Sequence, residues 1–316
     1  MPSGAKRRAG VRLPTPKEAR RRAGPGAGFP RRARRAHPKG DAGAVWFLLP
    51  SLVGLAVFVL GPFAGTVWRS FTDAAGRRWQ GAANYQSVLA NAAFRQAAGN
   101  TARFVCVCLP LLLGGSLLLA LLVRAARPHG RPFQTSFLLP MALPVASIAL
   151  LWQLLFAQKG LANALLSALG ARPVDFMGSG AAFWVLLGTY LWKNSGYNMV
   201  LWLAGLDGVP SALYEAAMLD GADRWQCFWH VTLPQLGPTL GLVSVLSLLN
   251  CFKVFREAYL VAGAYPHESI YLLQHLFNNW FSALDLGRLS AAAVLLALAL
   301  GGLILILLRL LNRSGE

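Results

Sequence analysis

Charge is scarce in this chain. Asp, Glu, Lys and Arg make up 13% of its 316 residues, against about 25% in an ordinary soluble domain. Apolar residues make up 55%, which excludes a conventional soluble globular protein. Acids are scarcer still, 12 against 30 Lys and Arg, giving a net charge of +18. That figure suggests a nucleic-acid binder, but its placement argues otherwise. Residues 1–44 hold 13 of the 30 Lys and Arg and 2 of the 12 acids. A basic surface for phosphates has to lie on a folded face, and this tail of Pro, Gly, Ala and Arg has too few apolar residues to fold. No nucleic-acid partner is expected. The tail can meet anionic lipid headgroups, each Lys or Arg contributing about 1 kcal/mol near the surface, or it can be a solvated topology signal. It lacks the apolar face of an interfacial helix.

Cysteine is equally sparse, four in all. Cys106, Cys108 and Cys251 lie in apolar runs and Cys227 in a polar insert. No spacing matches a zinc knuckle or a redox pair, and Cys106 and Cys108, two apart, do not face each other on a helix. They read as small apolar residues. No G-x-x-x-x-G-K-[ST] run is present, so the chain has no phosphate cradle of that type. His267 and Glu268 are adjacent with no third ligand near, which reads as a solvated loop. No metal site and no catalytic residue is expected.

Six apolar segments are present instead, approximately Val45–Trp68, Thr101–Val123, Phe133–Ala157, Ala182–Leu206, Leu236–Phe255 and Leu289–Leu311. Each approaches the roughly 20 residues a helix needs to cross the hydrocarbon core. Without water inside a bilayer the backbone must bond within the segment, so these are helices. The fold class is an all-α membrane protein of six transmembrane helices. It divides into a basic tail, 1–44, and a transmembrane domain, 45–311, with a polar loop, 207–235, inside it. The basic tail places the N-terminus in the cytoplasm. Six crossings return the C-terminus there, where Arg309 and Arg313 flank the last segment. The loop with Arg124, Arg127 and Arg131 falls on the same side. Outside loops 69–100, 158–181 and 256–288 are too short for a catalytic domain. Trp68, Trp79 and Trp280 fit an outer aromatic belt, and Trp46 an inner one.

The loop 207–235 breaks the pattern. Topology favours positive charge on this side, yet it carries Arg224 against Asp207, Glu215, Asp220 and Asp223. Ser211 is placed to cap a short helix, Ala212–Asp220, of good helix formers. Gly221 supplies a left-handed end. Asp223 can cap a second helix, Arg224–Thr232, and Pro234 marks the start of segment five. Ala216 and Ala217 allow close approach of another surface. Tyr214, Met218, Trp225 and Phe228 offer apolar contacts for a groove. The alternative is an amphipathic loop packed on its own bundle.

This stretch resembles the EAA motif of permease subunits of binding-protein-dependent ABC importers. The matching residues are Glu215, Ala216, Ala217, Asp220, Gly221, Ala222, Val231, Leu233 and Pro234. Gly81, Asn84, Tyr85, Phe94, Asn100 and Thr101, and the run LAGLDGVPSALYEAAMLDGA, resemble the carbohydrate branch. The resemblance covers about residues 45 to 311. It implies a cytoplasmic coupling helix between helices four and five, seated on an ATPase subunit, with Glu215 meeting a basic residue and Gly221 as the elbow. It implies a second permease subunit, two ATP-binding cassette subunits that use ATP and Mg, and an extracytoplasmic solute-binding protein at a bacterial plasma (inner) membrane. This chain would bind no cofactor and catalyse nothing itself. The family's T-G-G-P-like outer turn is missing: VAGAYPHESIYLLQHLFNN stands there, which leaves the solute and its binding protein open.

Polar residues in spans default to function. Segment four is interrupted near its middle by Lys193-Asn194-Ser195-Gly196-Tyr197-Asn198. Segment five carries Ser244, Ser247, Asn250 and Lys253 at spacing three, on one face. Asn194, Tyr197, Ser247 and Asn250 are the candidate sugar contacts, amides and hydroxyls with a stackable ring. The same residues can instead be interhelical glue. Lys193 and Lys253 can snorkel or pair with an acid. Two other readings compete with a sugar importer: an importer for a non-sugar solute and an ion-coupled secondary transporter. The latter wants membrane-embedded carboxylates, and the six segments contain none well inside. An intramembrane enzyme would need a catalytic grouping that Ser195 and Lys193 do not supply.

Overall fold

The computed structural model describes residues 42–126 and 130–313. Residues 1–41, and with them nearly all of the basic tail, lie outside the described residues, as does Arg127. Regular structure among the described residues is helical, apart from one isolated antiparallel bridge between Thr72 and Trp79. The chain divides into two units, Met1–Val57 and Phe58–Glu316. The described part of the first is helix α1, Ala42–Leu55, with Pro50 inside it. Trp46, Leu48, Leu52 and Val53 are all exposed.

A π-helical turn, Ala56–Leu60, leads to α2, Gly61–Ser70, then α3, Ala83–Ala90, and α4, Ala92–Ala125. Next come α5, Gly130–Ala142, α6, Val145–Phe156, α7, Leu161–Ala168, and the long α8, Ala181–Asp207. A polar loop carries α9, Ser211–Leu219, and α10, Arg224–Cys227. The chain ends with α11, Gly237–Cys251, α12, Phe255–Ala262, α13, Leu273–Ser282, and α14, Leu286–Arg313. In the second unit α8 packs along α4 and α5, α11 lies against α4, α8 and α14, and α12 lies against α6.

Among the described residues five helical runs are long and apolar enough to cross a membrane: Leu48–Ser70, Ala92–Ala125, Val145–Ala168, Gly237–Ala262 and Leu286–Arg309. Leu118, Leu122, Leu150, Leu154, Leu298 and Leu305 point outward along them. Lipid, unlike water, imposes no cost on such a surface. The fourth apolar segment is not among the five. At 27 residues α8 is long enough, about 40 Å at 1.5 Å per residue, but Lys193, Asn194, Ser195 and Asn198 lower its hydropathy.

Three expectations about these segments are corrected. The third is not one helix over Phe133–Ala157. It breaks between α5 and α6, where Pro144 takes an extended conformation (φ −57°, ψ 143°) and holds the residue before it out of the α region. The polar run of the fourth does not interrupt it, since α8 is helical throughout. The fifth continues past Phe255 through a 3₁₀ turn, Phe252–Val254, to Ala262, so Glu257 belongs to a span and not to an outer loop.

The residues carrying the flank resemblance staple one end of the second unit. Asn84 Nδ2 donates to the carbonyls of Ser70 (3.0 Å) and Thr72 (2.7 Å), and Tyr85 and Ser70 share a hydroxyl bond of 2.7 Å. Asn100 Nδ2 donates to the carbonyls of Glu268 and Tyr271. Thr101 Oγ1 accepts the Leu273 N–H at 3.0 Å. Gly81 sits at φ +58°, where a side chain would be strained. Asn163, not singled out in the sequence, clamps the α7 region: buried, it exchanges bonds with Val174 in both directions and donates to the Gln158 carbonyl. Trp280 is a further correction. It is buried with Val88, Ala97 and Ala291 and is no interface anchor, whereas Trp68 and Trp79 are exposed. Beside it on α13, His275 is fully buried among Phe255 and Tyr271. Burial pushes its pKa down to about 4, so at neutral pH the ring is uncharged and its Nδ1 accepts the Leu272 N–H.

Two glycines on α8 allow close helix crossings. A Cβ on Gly196 would collide with the backbone of Phe137 on α5, and one on Gly205 with the side chain of Thr239 on α11. Small residues let spans approach where lipid offers no hydrophobic drive between them. Gly196→Val is therefore expected to destabilise the protein by at least the roughly 1–3 kcal/mol of an overpacked core, read as a lowered unfolding temperature in detergent. Gly188→Ala, with open space around its Cβ, should leave that temperature unchanged within error.

Candidate functional site

The loop between α8 and α11 is built by local rules. Helix α9 begins after Pro210, which occupies the N-cap position in an extended conformation and makes no side-chain cap. Its carbonyl receives the Leu213 N–H at 3.2 Å. Ser211 is thus the first helical residue and not the cap expected from sequence. The other end conforms to expectation. Gly221 has φ +84°. The Ala222 N–H donates to the Ala217 carbonyl at 2.9 Å and the Gly221 N–H to the Met218 carbonyl at 3.1 Å. This double bond pattern is the Schellman motif, which needs a left-handed residue at its turn.

Helix α10 follows at once through a capping box. The Gln226 N–H donates to Asp223 Oδ1 at 2.7 Å, and the Asp223 N–H to Gln226 Oε1 at 2.8 Å, so two otherwise orphaned donors are satisfied reciprocally. The second helix is shorter than the expected Arg224–Thr232. It passes into a π turn, Phe228–Thr232, before the short turn containing Leu233 and Pro234.

The loop is tied back at two points. The Tyr214 and Thr232 hydroxyls bond at 3.0 Å, and the Arg124 guanidinium at the end of α4 lies 5.8 Å from the Tyr214 ring centre. Tyr214 therefore faces the protein and does not join a docking surface. The remainder of α9 is open: none of its residues is buried, and Glu215, Ala216, Met218, Leu219 and Asp220 are exposed, Leu219 at 89%. Trp225 and Trp229 are exposed too, and Phe228 stacks on Trp225. An exposed leucine and methionine beside a lone Glu, on a rigidly capped helix, form a surface fit for another protein.

The helices before and after the loop are joined by buried polar contacts. Lys193 Nζ on α8 meets Glu257 Oε1 on α12 at 2.5 Å, with both side chains almost wholly buried. Asn198 Nδ2 donates to Ser247 Oγ on α11 at 2.6 Å, again buried. A third contact ties α8 to α4: Trp202 Nε1–H donates to Ser116 Oγ at 3.0 Å. Glu257 corrects the expectation that no carboxylate lies inside a span, although Lys193 matches its charge. Its second oxygen, Oε2, is buried without a hydrogen-bond partner among the described residues.

The four candidate solute contacts divide. Ser247 is 1% exposed and engaged by Asn198. Asn194, Tyr197 and Asn250 are half-buried. Asn194 Nδ2 donates to the Tyr190 carbonyl, and Asn250 Oδ1 accepts from Lys253 Nζ at 2.8 Å. No hydrogen bond among the described residues brings these three together. Asn198, Ser116 and Glu257 escaped selection because each is defined by a partner on a distant helix.

Apolar helices long enough to cross a membrane, with a short, capped, outward-facing helix between two of them, define an integral membrane protein. The sequence profile of the binding-protein-dependent transport system inner membrane component family matches residues 116–314, and the chain belongs to that family. It is 33% identical over 257 residues to the trehalose/maltose transport system permease protein MalF of Thermococcus litoralis, covering 78% of this chain and 86% of that one. It is 31% identical over 261 residues to the sulfoquinovosyl glycerol transport system permease protein SmoG of Agrobacterium fabrum, covering 80% and 85%. The fold matches a chain of a bacterial ABC transporter involved in import of the acidic polysaccharide alginate, with a TM-score of 0.77 at 22% identity, over 87% of this chain and 98% of that one.

Removing one partner of a buried ion pair leaves an uncompensated charge. Lys193→Met is expected to cost about 3–5 kcal/mol in thermal unfolding, and Lys193→Met/Glu257→Leu to recover most of it. An unchanged unfolding temperature in the single variant would contradict the pairing.

Proposed function

We propose that this chain is a permease subunit of an ATP-driven importer that moves a sugar or oligosaccharide into the cell. In this reading six helices cross a bacterial inner membrane, with both termini in the cytoplasm and α8 as the fourth span. Helix α9 is the coupling helix. It seats on a separate ATP-binding subunit that uses ATP and Mg, while this chain binds neither. Two such subunits, a second permease and an extracytoplasmic solute-binding protein complete the transporter. A solved alginate transporter in complex with a saccharide-bound periplasmic protein supports the last of these.

The observation that carries the reading is α9 itself. Apart from Tyr214 it leaves most of its surface open, is locked at Gly221, and hangs between two spans that are tied by Lys193–Glu257 and Asn198–Ser247. Motion imposed on α9 would reach both spans together. Exposed Glu215, with Ala216 and Ala217 beside it, suits a basic residue on the ATPase at close range, and Leu233 and Pro234 return the chain to α11. The sugar assignment rests on relatives whose names specify trehalose/maltose and sulfoquinovosyl glycerol. Asn194, Tyr197 and Asn250 are the solute contacts in this account, with Ser247 bracing the wall behind them. An ion-coupled transporter would need a free embedded carboxylate, and Glu257 is already paired.

Gly221→Pro cannot adopt φ +84°, because proline holds φ near −65°. This variant and Glu215→Lys are expected to insert normally, to lose most solute uptake, and to bind the ATP-binding subunit more weakly in co-purification. Normal uptake and normal association in both variants would rule out the coupling role.

A further inference from the structure

Two cations in the run Gly237–Ala262 have no acid to answer them. The charged residues of that run are Lys253, Arg256 and Glu257. Glu257 is buried against Lys193. Lys253 and Arg256 are exposed, and neither has an ion pair among the described residues. They lie on one face with the exposed Leu249 and Leu260, at helical spacings of four, three and four. The 3₁₀ turn Phe252–Val254 helps to align them, because residues three apart eclipse in that geometry. Lys253 Nζ donates to Asn250 Oδ1 at 2.8 Å, one turn toward the middle of the run. A snorkelling lysine would extend the other way, toward the nearer end at Ala262, about 14 Å along the axis at 1.5 Å per residue. A cation held toward lipid at this depth is costly. This face therefore meets water or protein, and its charge is wholly positive.

We infer that Lys253 and Arg256 form an anion subsite in the solute pathway, and that the solute is an acidic saccharide bearing a carboxylate or a sulfonate. The inference rests on the importer reading and narrows its solute class. The Arg256 guanidinium can hold such an anion through two N–H groups. Lys253 adds a point charge, and the half-buried Asn250 beside it offers an amide to neighbouring hydroxyls. A neutral sugar would leave both charges unanswered.

Two measurements on the assembled transporter in nanodiscs test it. In a Cys106→Ser background, Lys253→Cys and Arg256→Cys are expected to react with 2-sulfonatoethyl methanethiosulfonate, an anionic water-soluble reagent, in the presence or absence of ATP. Leu298→Cys, on the apolar outward face of α14, should not react. No reaction at 253 and 256 in either condition would show the face sealed by lipid or by the second permease, and would overturn the proposal. The second measurement is ATPase stimulation through the solute-binding protein, by neutral oligosaccharide hydrolysates and by the same hydrolysates oxidised at C6 to uronates. The oxidised set is expected to stimulate and the neutral set not. Lys253→Gln/Arg256→Gln should raise the half-saturating concentration about tenfold, equivalent to roughly 1.4 kcal/mol, with the maximal rate and unfolding temperature kept. Lys253→Arg should behave as the unsubstituted chain. Stimulation by the neutral set, or an unchanged half-saturating concentration in the double variant, would overturn the anion subsite and leave the importer reading standing. Stimulation by neither set would overturn both.

Discussion

A buried polar side chain must find a partner, and among the described residues helix α8 takes part in three such contacts. Lys193 is answered by Glu257, Asn198 by Ser247, and Ser116 by Trp202. Such contacts contribute modestly to stability, since the desolvation of a buried ion pair offsets much of its attraction. Their main effect is register. Each one fixes α8 against a particular level of α4, α11 or α12, and the close crossings at Gly196 and Gly205 lock the same arrangement sterically.

That constraint gives the loop between α8 and α11 its significance. A docking helix on a floppy tether would transmit little. Here α9 is closed by the Schellman turn at Gly221, joined to α10 by the Asp223–Gln226 box, and pinned through Tyr214 to Thr232 and Arg124. The spans at either end of the loop are bonded to each other. In the proposed coupling role, a force on the exposed face of α9 would be delivered to a paired unit.

Much of this was legible in the sequence, and what was not has a common cause. The helix end at Gly221 and the cap at Asp223 are set by residues within five positions, so their chemistry could be read directly. The start of α9 is equally local, yet Ser211 was a plausible cap displaced by the extended Pro210 beside it. The helical continuity of α8 could not be read from Lys193–Asn198, because the groups that satisfy it lie on α11 and α12. For the same reason the fifth span appeared to end at Phe255. Glu257 looks like a loop residue until Lys193, 64 positions earlier, neutralises it. Asn250 and Ser247 share a helix face in sequence, but only the structure separates the buried brace from the half-buried candidate.

Photocrosslinking from position 219 tests the central claim most directly. Leu219 is 89% exposed and lies at the tip of α9. With a benzoylphenylalanine in its place and the transporter assembled in native membranes, illumination is predicted to give an adduct with the ATP-binding subunit, its yield changing when ATP is added. An adduct only with lipid or with an extracytoplasmic protein would contradict the account.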